Sequence, residues 1–94
     1  MTKHFVLLYR PGPNWVKGKP VSDQPLKDHL DYMLTLNSEG IVTMAGPFQN
    51  SSGGLVIGET KDIEEAKELV NRDPAIRQGT LSAEVIELKR IVQR

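Results

Sequence analysis

Apolar residues alternate closely in some stretches of the chain and recur every third or fourth position in others, and each change of period marks an element. His4 to Tyr9 (HFVLLY) is short, aromatic and rich in apolar side chains, and Arg10-Pro11-Gly12-Pro13 stops it, so it predicts a first strand. Residues 10–21 hold three prolines, two glycines and the only Trp, which predicts a long loop of the kind that often walls a binding site. From Ser22 to Gly40 the period lengthens. Leu26, Leu30, Met33 and Leu36 form one stripe with Lys27, Asp28, Asp31 and Thr35 mostly opposite, which predicts an amphipathic helix capped by Ser22 or Asp23 and closed by Gly40.

The second half repeats the alternation. Residues 41–45 (IVTMA) and 55–59 (LVIGE) read as strands joined through the polar turn at 49–54, an antiparallel pair. Asp62, with Glu65 three residues on, has capping-box spacing and opens a second helix whose stripe is Ile63, Ala66, Leu69 and Val70. Pro74 disfavours helical geometry at Asp73, so that helix ends near Arg72 and residues 75–79 form a short turn. Residues 81–88 are the last strand and 89–94 a polar tail.

The order strand, helix, strand, strand, helix, strand is the ferredoxin-like βαββαβ plan, an α+β fold with two helices on one face of a four-stranded antiparallel sheet. The other face does not read as polar. Phe5, Leu7 and Tyr9 alternate with Val6 and Leu8, and both parities are apolar from Leu55 to Ile57. Strands apolar on both sides need cover on both sides, and the economical source is a second copy related by a two-fold, so the expectation is a homodimer packed sheet to sheet, or a higher oligomer built on it.

At 94 residues the chain is read as one domain over residues 1–94, its core between 4 and 88. Twelve Lys and Arg balance twelve Asp and Glu, which argues against a nucleic-acid partner, and the basic residues Lys89, Arg90 and Arg94 read as a solvated tail. The absence of cysteine removes disulfide and thiolate chemistry. Phe5 to Tyr9 is too short for a signal-peptide core or a membrane span, so the expectation is a soluble cytoplasmic protein with no membrane partner.

Candidate chemistry is sparse. His29, at the margin of the first helix's apolar stripe, is the one titratable imidazole set against a core; a satisfied structural histidine is the bland alternative. Trp15 either staples its loop to the core or covers a pocket. Gly53-Gly54 precedes a strand and no helix follows to receive an anion, so it reads as a turn. The glutamates of the second helix lack a histidine companion, and His4 and His29 are the only histidines, so neither a metal site nor a cofactor is expected.

Taken together, HFVLLY at the start, the histidine-bearing LKDHLDY, Gly40, Ala45-Gly46-Pro47-Phe48, and Asp73-Pro74 with Gly79 after it resemble the YciI-like proteins of the dimeric α+β barrel superfamily, over residues 4–88. The resemblance implies a two-sheet dimer and a histidine and an aspartate meeting in a cleft of each subunit, roles that fall on His29 and Asp73. The cleft would be lined by Tyr9, Trp15, Gly46 and Phe48 and would take a small-molecule ligand. Leu26 stands where many members carry an arginine, whose anion-binding place Arg10 could take if the loop folds back, and Ala75 stands where an aromatic is common. The chemistry implied is cofactor-independent proton transfer in an isomerisation, elimination or hydrolysis; the alternative is a non-catalytic dimeric module for metabolite binding or assembly.

Overall fold

The computed structural model describes residues 2–93. Four strands, β1 (Lys3–Pro11), β2 (Val42–Pro47), β3 (Gly54–Thr60) and β4 (Leu81–Leu88), form one antiparallel sheet in the order β2-β3-β1-β4. Helices α1 (Lys27–Ser38), α2 (Ile63–Arg72) and α3 (Pro74–Gln78) connect them, and the two long helices lie in the places the ferredoxin-like plan gives them. Among the described residues no helix is long and apolar enough to cross a membrane.

Strand parity assigns every side chain a face. Phe5, Leu7 and Tyr9 of β1 and Val56 of β3 are buried against the helices, where they meet Met33, Leu36, Ala66, Leu69 and Val70. Val6 and Leu8 point to the opposite face, opposite Ile57 and Leu55 of β3. β2 carries a bulge between Val42 and Met44. Without it those two residues would share a face; with it Val42 is buried among the core residues and Met44, paired with Ile57, turns outward. Gly58 lets the Phe5 ring lie across β3, since a Cβ there would sit 2.8 Å from the ring and 2.3 Å from the Ile41 carbonyl.

Three local features depart from the sequence reading. The first helix starts at Lys27 and not near Ser22, because Gln24, ahead of Pro25, stays extended (φ −86°, ψ 152°) and only a 3-10 turn forms at Val21–Asp23. Its inward stripe is Leu26, His29, Met33 and Leu36, which centres on His29; Leu30 lies about 90° around the helix and is 57% exposed. Residues expected as a turn after Pro74 wind into α3, capped by the Asp73 carboxylate on the Ala75 N–H and ended by Gly79 at φ 78°. The second helix starts as its spacing suggests, with Asp62 accepting from the Glu65 N–H at 2.9 Å.

Candidate active site

Asp73 stands where α2 must end. Pro74 cannot continue the hydrogen-bond ladder, so the chain turns at Asp73 and restarts as α3, with the Asp73 backbone extended and its side chain folded back beneath the first turn. The carboxylate is fully buried. Such a charge is stable only with donors around it, and three converge: the Ala75 N–H on Oδ1 at 2.9 Å, the Tyr9 hydroxyl on Oδ2 at 2.7 Å, and Nδ1 of His29 at 2.9 and 2.8 Å from the two oxygens. β1, α1 and the α2–α3 corner therefore meet on one carboxylate.

An ionised carboxylate only accepts, so Nδ1 of His29 carries the proton that lies between them. Nε2 has no protein hydrogen-bond partner among the described residues, yet it is not a buried unsatisfied atom, so it opens to the adjacent space. The Tyr9 ring meets the imidazole edge-on, with centroids 5.2 Å apart and planes at 67°, and fixes its tilt. Burial, and then the charge of Asp73, push the Tyr9 hydroxyl well above the ordinary tyrosine range, so it remains a donor throughout neutral pH. Tyr32, one turn further along α1, donates to the Leu69 carbonyl at 2.7 Å and is likewise raised, chiefly by burial.

His29 opens onto a cavity of about 630 Å³ between α1, the loop after β1 and the β2–β3 hairpin. Leu26, Leu30, Met33, Pro47 and Val56 make its walls largely apolar. Trp15 fills both roles the sequence left open, packing on the core and lining the cavity. Its loop is fastened at both ends. Gly12 and Asn14 donate from their backbones to the Thr80 and Gly79 carbonyls at 2.9 and 2.8 Å, and the Asn14 amide reaches the Gln78 carbonyl at 2.7 Å. Gln24, buried, accepts from the Val16 N–H and donates to the Val16 and Lys19 carbonyls. No periodicity marks Gln24, because its partners are loop backbone atoms; the only signal was a polar residue before Pro25 in a stretch that had to be packed.

Of the residues expected to line the cleft, Tyr9, Trp15 and Gly46 do so. Tyr9 presents its ring, while its hydroxyl is committed to Asp73. Arg10 does not. Strand alternation turns it to the far face of the sheet, where it pairs with Glu84 at 3.5 Å, so it cannot stand in for the anion-binding arginine. Phe48 is also outside the cavity lining, held in the hairpin turn where its N–H bonds the Gly53 carbonyl at 2.8 Å. Lys27 lines the mouth and pairs with Asp31 at 2.9 Å. A separate groove of about 460 Å³ between α1 and α2 has Glu39, Glu65, Glu68 and Arg72 along it and no histidine. Among the described residues no group of three or more His, Cys, Asp or Glu is placed to hold a metal ion.

A model of the YCII-related domain matches residues 4–89. The uncharacterized protein YjpA of Bacillus subtilis (strain 168) is 31% identical over 61 residues, spanning 65% of this chain and 72% of that protein. Among solved structures, the 5-chloro-2-hydroxyhydroquinone dehydrochlorinase of Burkholderia phenoliruptrix AC1100, in complex with 2,5-dihydroxybenzoquinone, aligns with a TM-score of 0.61 at 23% identity, over 90% of this chain and 93% of its own. The likeness is one of fold.

Proposed function

The chain belongs to the YCII-related family, and on that premise we propose that it is a cofactor-independent enzyme in which His29 moves a proton on a small organic molecule. The observation that carries the reading is the His29 ring lining a largely apolar cavity, with Nδ1 held 2.8 Å from a fully buried carboxylate and Nε2 without a protein partner among the described residues. Asp73 fixes the tautomer and steadies the imidazolium formed when Nε2 takes a proton; the same nitrogen can return it to another atom of the substrate. Among the described residues no serine, threonine or thiol hydrogen-bonds His29 or Asp73, and the Tyr9 hydroxyl is committed to the carboxylate, so the reaction class is isomerisation, elimination or hydrolysis by general acid-base catalysis. Elimination is the chemistry named for the fold relative from Burkholderia.

A sheet-to-sheet homodimer completes the proposal. Val6, Leu8, Leu55 and Ile57 share the face away from the helices with the more exposed Met44, Ile86 and Leu88, and a second copy across a two-fold would cover them. Sedimentation at micromolar concentration is expected to give a species of about twice the 10.5 kDa chain mass; a monomer overturns this part.

The rival reading is a non-catalytic dimeric binding or assembly module, favoured by one observation: Asp73 also caps α3, so its bond to His29 could serve only to brace α1 on the α2–α3 corner. Proton exchange separates them. Small lactones and hydroxylated aromatics are incubated with the protein in heavy water, and deuterium entry at carbon is read by NMR. Enzyme-dependent exchange at carbon, or opening of a lactone, in at least one compound, lost in His29→Gln, is expected. Binding with neither exchange nor hydrolysis across the panel supports the module.

A further inference from the structure

The sequence placed Tyr9 among substrate contacts; the structure gives its hydroxyl a different neighbour. Tyr9 is buried and lines the cavity, and its hydroxyl is 2.7 Å from Oδ2, the oxygen nearer to Nδ1 of His29. We infer that Tyr9 is a positioning residue of the proposed acid-base pair, sharing Asp73 Oδ2 with His29 and so setting both the plane of the carboxylate and how much of its charge reaches the ring. This rests on the reading of His29 as the base.

A carboxylate with a single side-chain partner can turn about its Cβ–Cγ bond; Asp73 cannot, because Ala75 holds Oδ1 and Tyr9 holds Oδ2, leaving Nδ1 to approach between them. Each donor on the carboxylate also draws off negative charge that would otherwise strengthen the bond to Nδ1–H. Tyr9 has a second hold on the ring through its edge contact at 5.2 Å. The other tyrosine is a built-in control. Tyr32 gives its hydroxyl to the Leu69 carbonyl, a backbone atom of α2, and so has a bracing role of similar length without touching Asp73.

The test is NMR of the His29 ring in the ligand-free protein, which needs no substrate. In Tyr9→Phe the Nδ1–H proton is expected to move downfield as its bond to Asp73 shortens, on the order of half a part per million, with the Tyr32→Phe spectrum unchanged at that proton. In Asp73→Asn the further change Tyr9→Phe is expected to leave His29 unmoved, because the effect passes through the carboxylate. An unchanged Nδ1–H signal in Tyr9→Phe, or an equal shift in Tyr32→Phe, overturns the inference. Should Tyr9→Phe fail to fold, the wild-type Tyr9 hydroxyl proton decides: a slowly exchanging signal with a cross-peak to His29 supports the inference, and rapid exchange with water overturns it. Failure of the proton-exchange assay with these ring signals as expected removes the enzyme reading while the Tyr9–Asp73–His29 coupling stands.

Discussion

Among the described residues two histidine–carboxylate pairs are of nearly equal length, His29–Asp73 at 2.8 Å and His4–Glu59 at 3.0 Å, in opposite surroundings. Asp73 is fully buried and receives three donors, and its histidine opens into a cavity. Glu59 is 41% exposed, on the face of the sheet away from the helices, and its other neighbour is the Thr2 hydroxyl at 3.4 Å. Distance alone would rank the pairs together. What separates them is desolvation. Around Glu59 water screens the charge and can replace the partner, whereas at Asp73 every donor lost leaves an uncompensated charge in the core. Only the second arrangement can hold a tautomer against thermal motion.

The sharpest way to break that contrast is to delete each acid. Asp73→Ala removes a helix cap and strands the donors of Tyr9 and Ala75, and is expected to cost roughly 3–5 kcal/mol in urea denaturation. A loss below about 1 kcal/mol would place Asp73 in the same class as a surface pair.

Alkaline pH gives the next largest effect. Tyrosine in the unfolded chain ionises near pH 10.0, and Tyr9 in the folded chain ionises well above that. Above pH 10 the unfolded state therefore releases a proton the folded state keeps, and stability falls with rising pH; below pH 10 the contribution is complete. In Tyr32→Phe, where Tyr9 is the only tyrosine left, tyrosinate absorbance near 295 nm is expected to appear together with unfolding and not before it, and Tyr9→Phe is expected to flatten the alkaline limb. Ionisation of Tyr9 in the folded protein near pH 10 would contradict this.

Gln24→Ala acts on the wall of the same cavity. Its loss frees the Val16 and Lys19 loop atoms and is expected to destabilise by about 1–2 kcal/mol. Trp15 fluorescence should shift red as the loop loosens. An unchanged Trp15 spectrum would show that the loop is held from its Gly12–Asn14 end alone.

The smallest effect belongs to the exposed pair. Glu59→Gln is expected to change stability by about 0–1 kcal/mol, and the difference should vanish at 0.5 M salt. A larger or salt-resistant loss would put that pair on a par with the buried one.

Much of the architecture is legible in the hydrophobic period. β4 covers the residues expected, and α2 begins at the cap its spacing marks. The first helix was harder to read for a physical reason. Leu30 fits a stripe by hydropathy, but the direction that faces the sheet is set by Met33 and Leu36 once α1 starts after Pro25, and that direction runs through His29. The Met44 side of β2 depends on a bulge, which no local pattern announces. The pairing of His29 with Asp73 spans 44 positions and came from family resemblance, since spacing along the chain says nothing about a contact made by topology. Tyr9's bond to Asp73 was not anticipated, because a tyrosine on a buried strand face needs some acceptor and the sequence does not say which. Arg10 shows parity overruling a chemical preference: the family resemblance called for an arginine in the cleft, but strand alternation turns this one to the far face, where it meets Glu84.

The central claim is that Asp73 holds the proton of His29 on Nδ1 and leaves Nε2 to the cavity. Nitrogen-15 NMR of the neutral ring in the ligand-free protein tests it directly. The expected result is a proton on Nδ1, a bare Nε2, and loss of that pattern in Asp73→Ala. A wild-type ring with its proton on Nε2 and a bare Nδ1 would contradict the account.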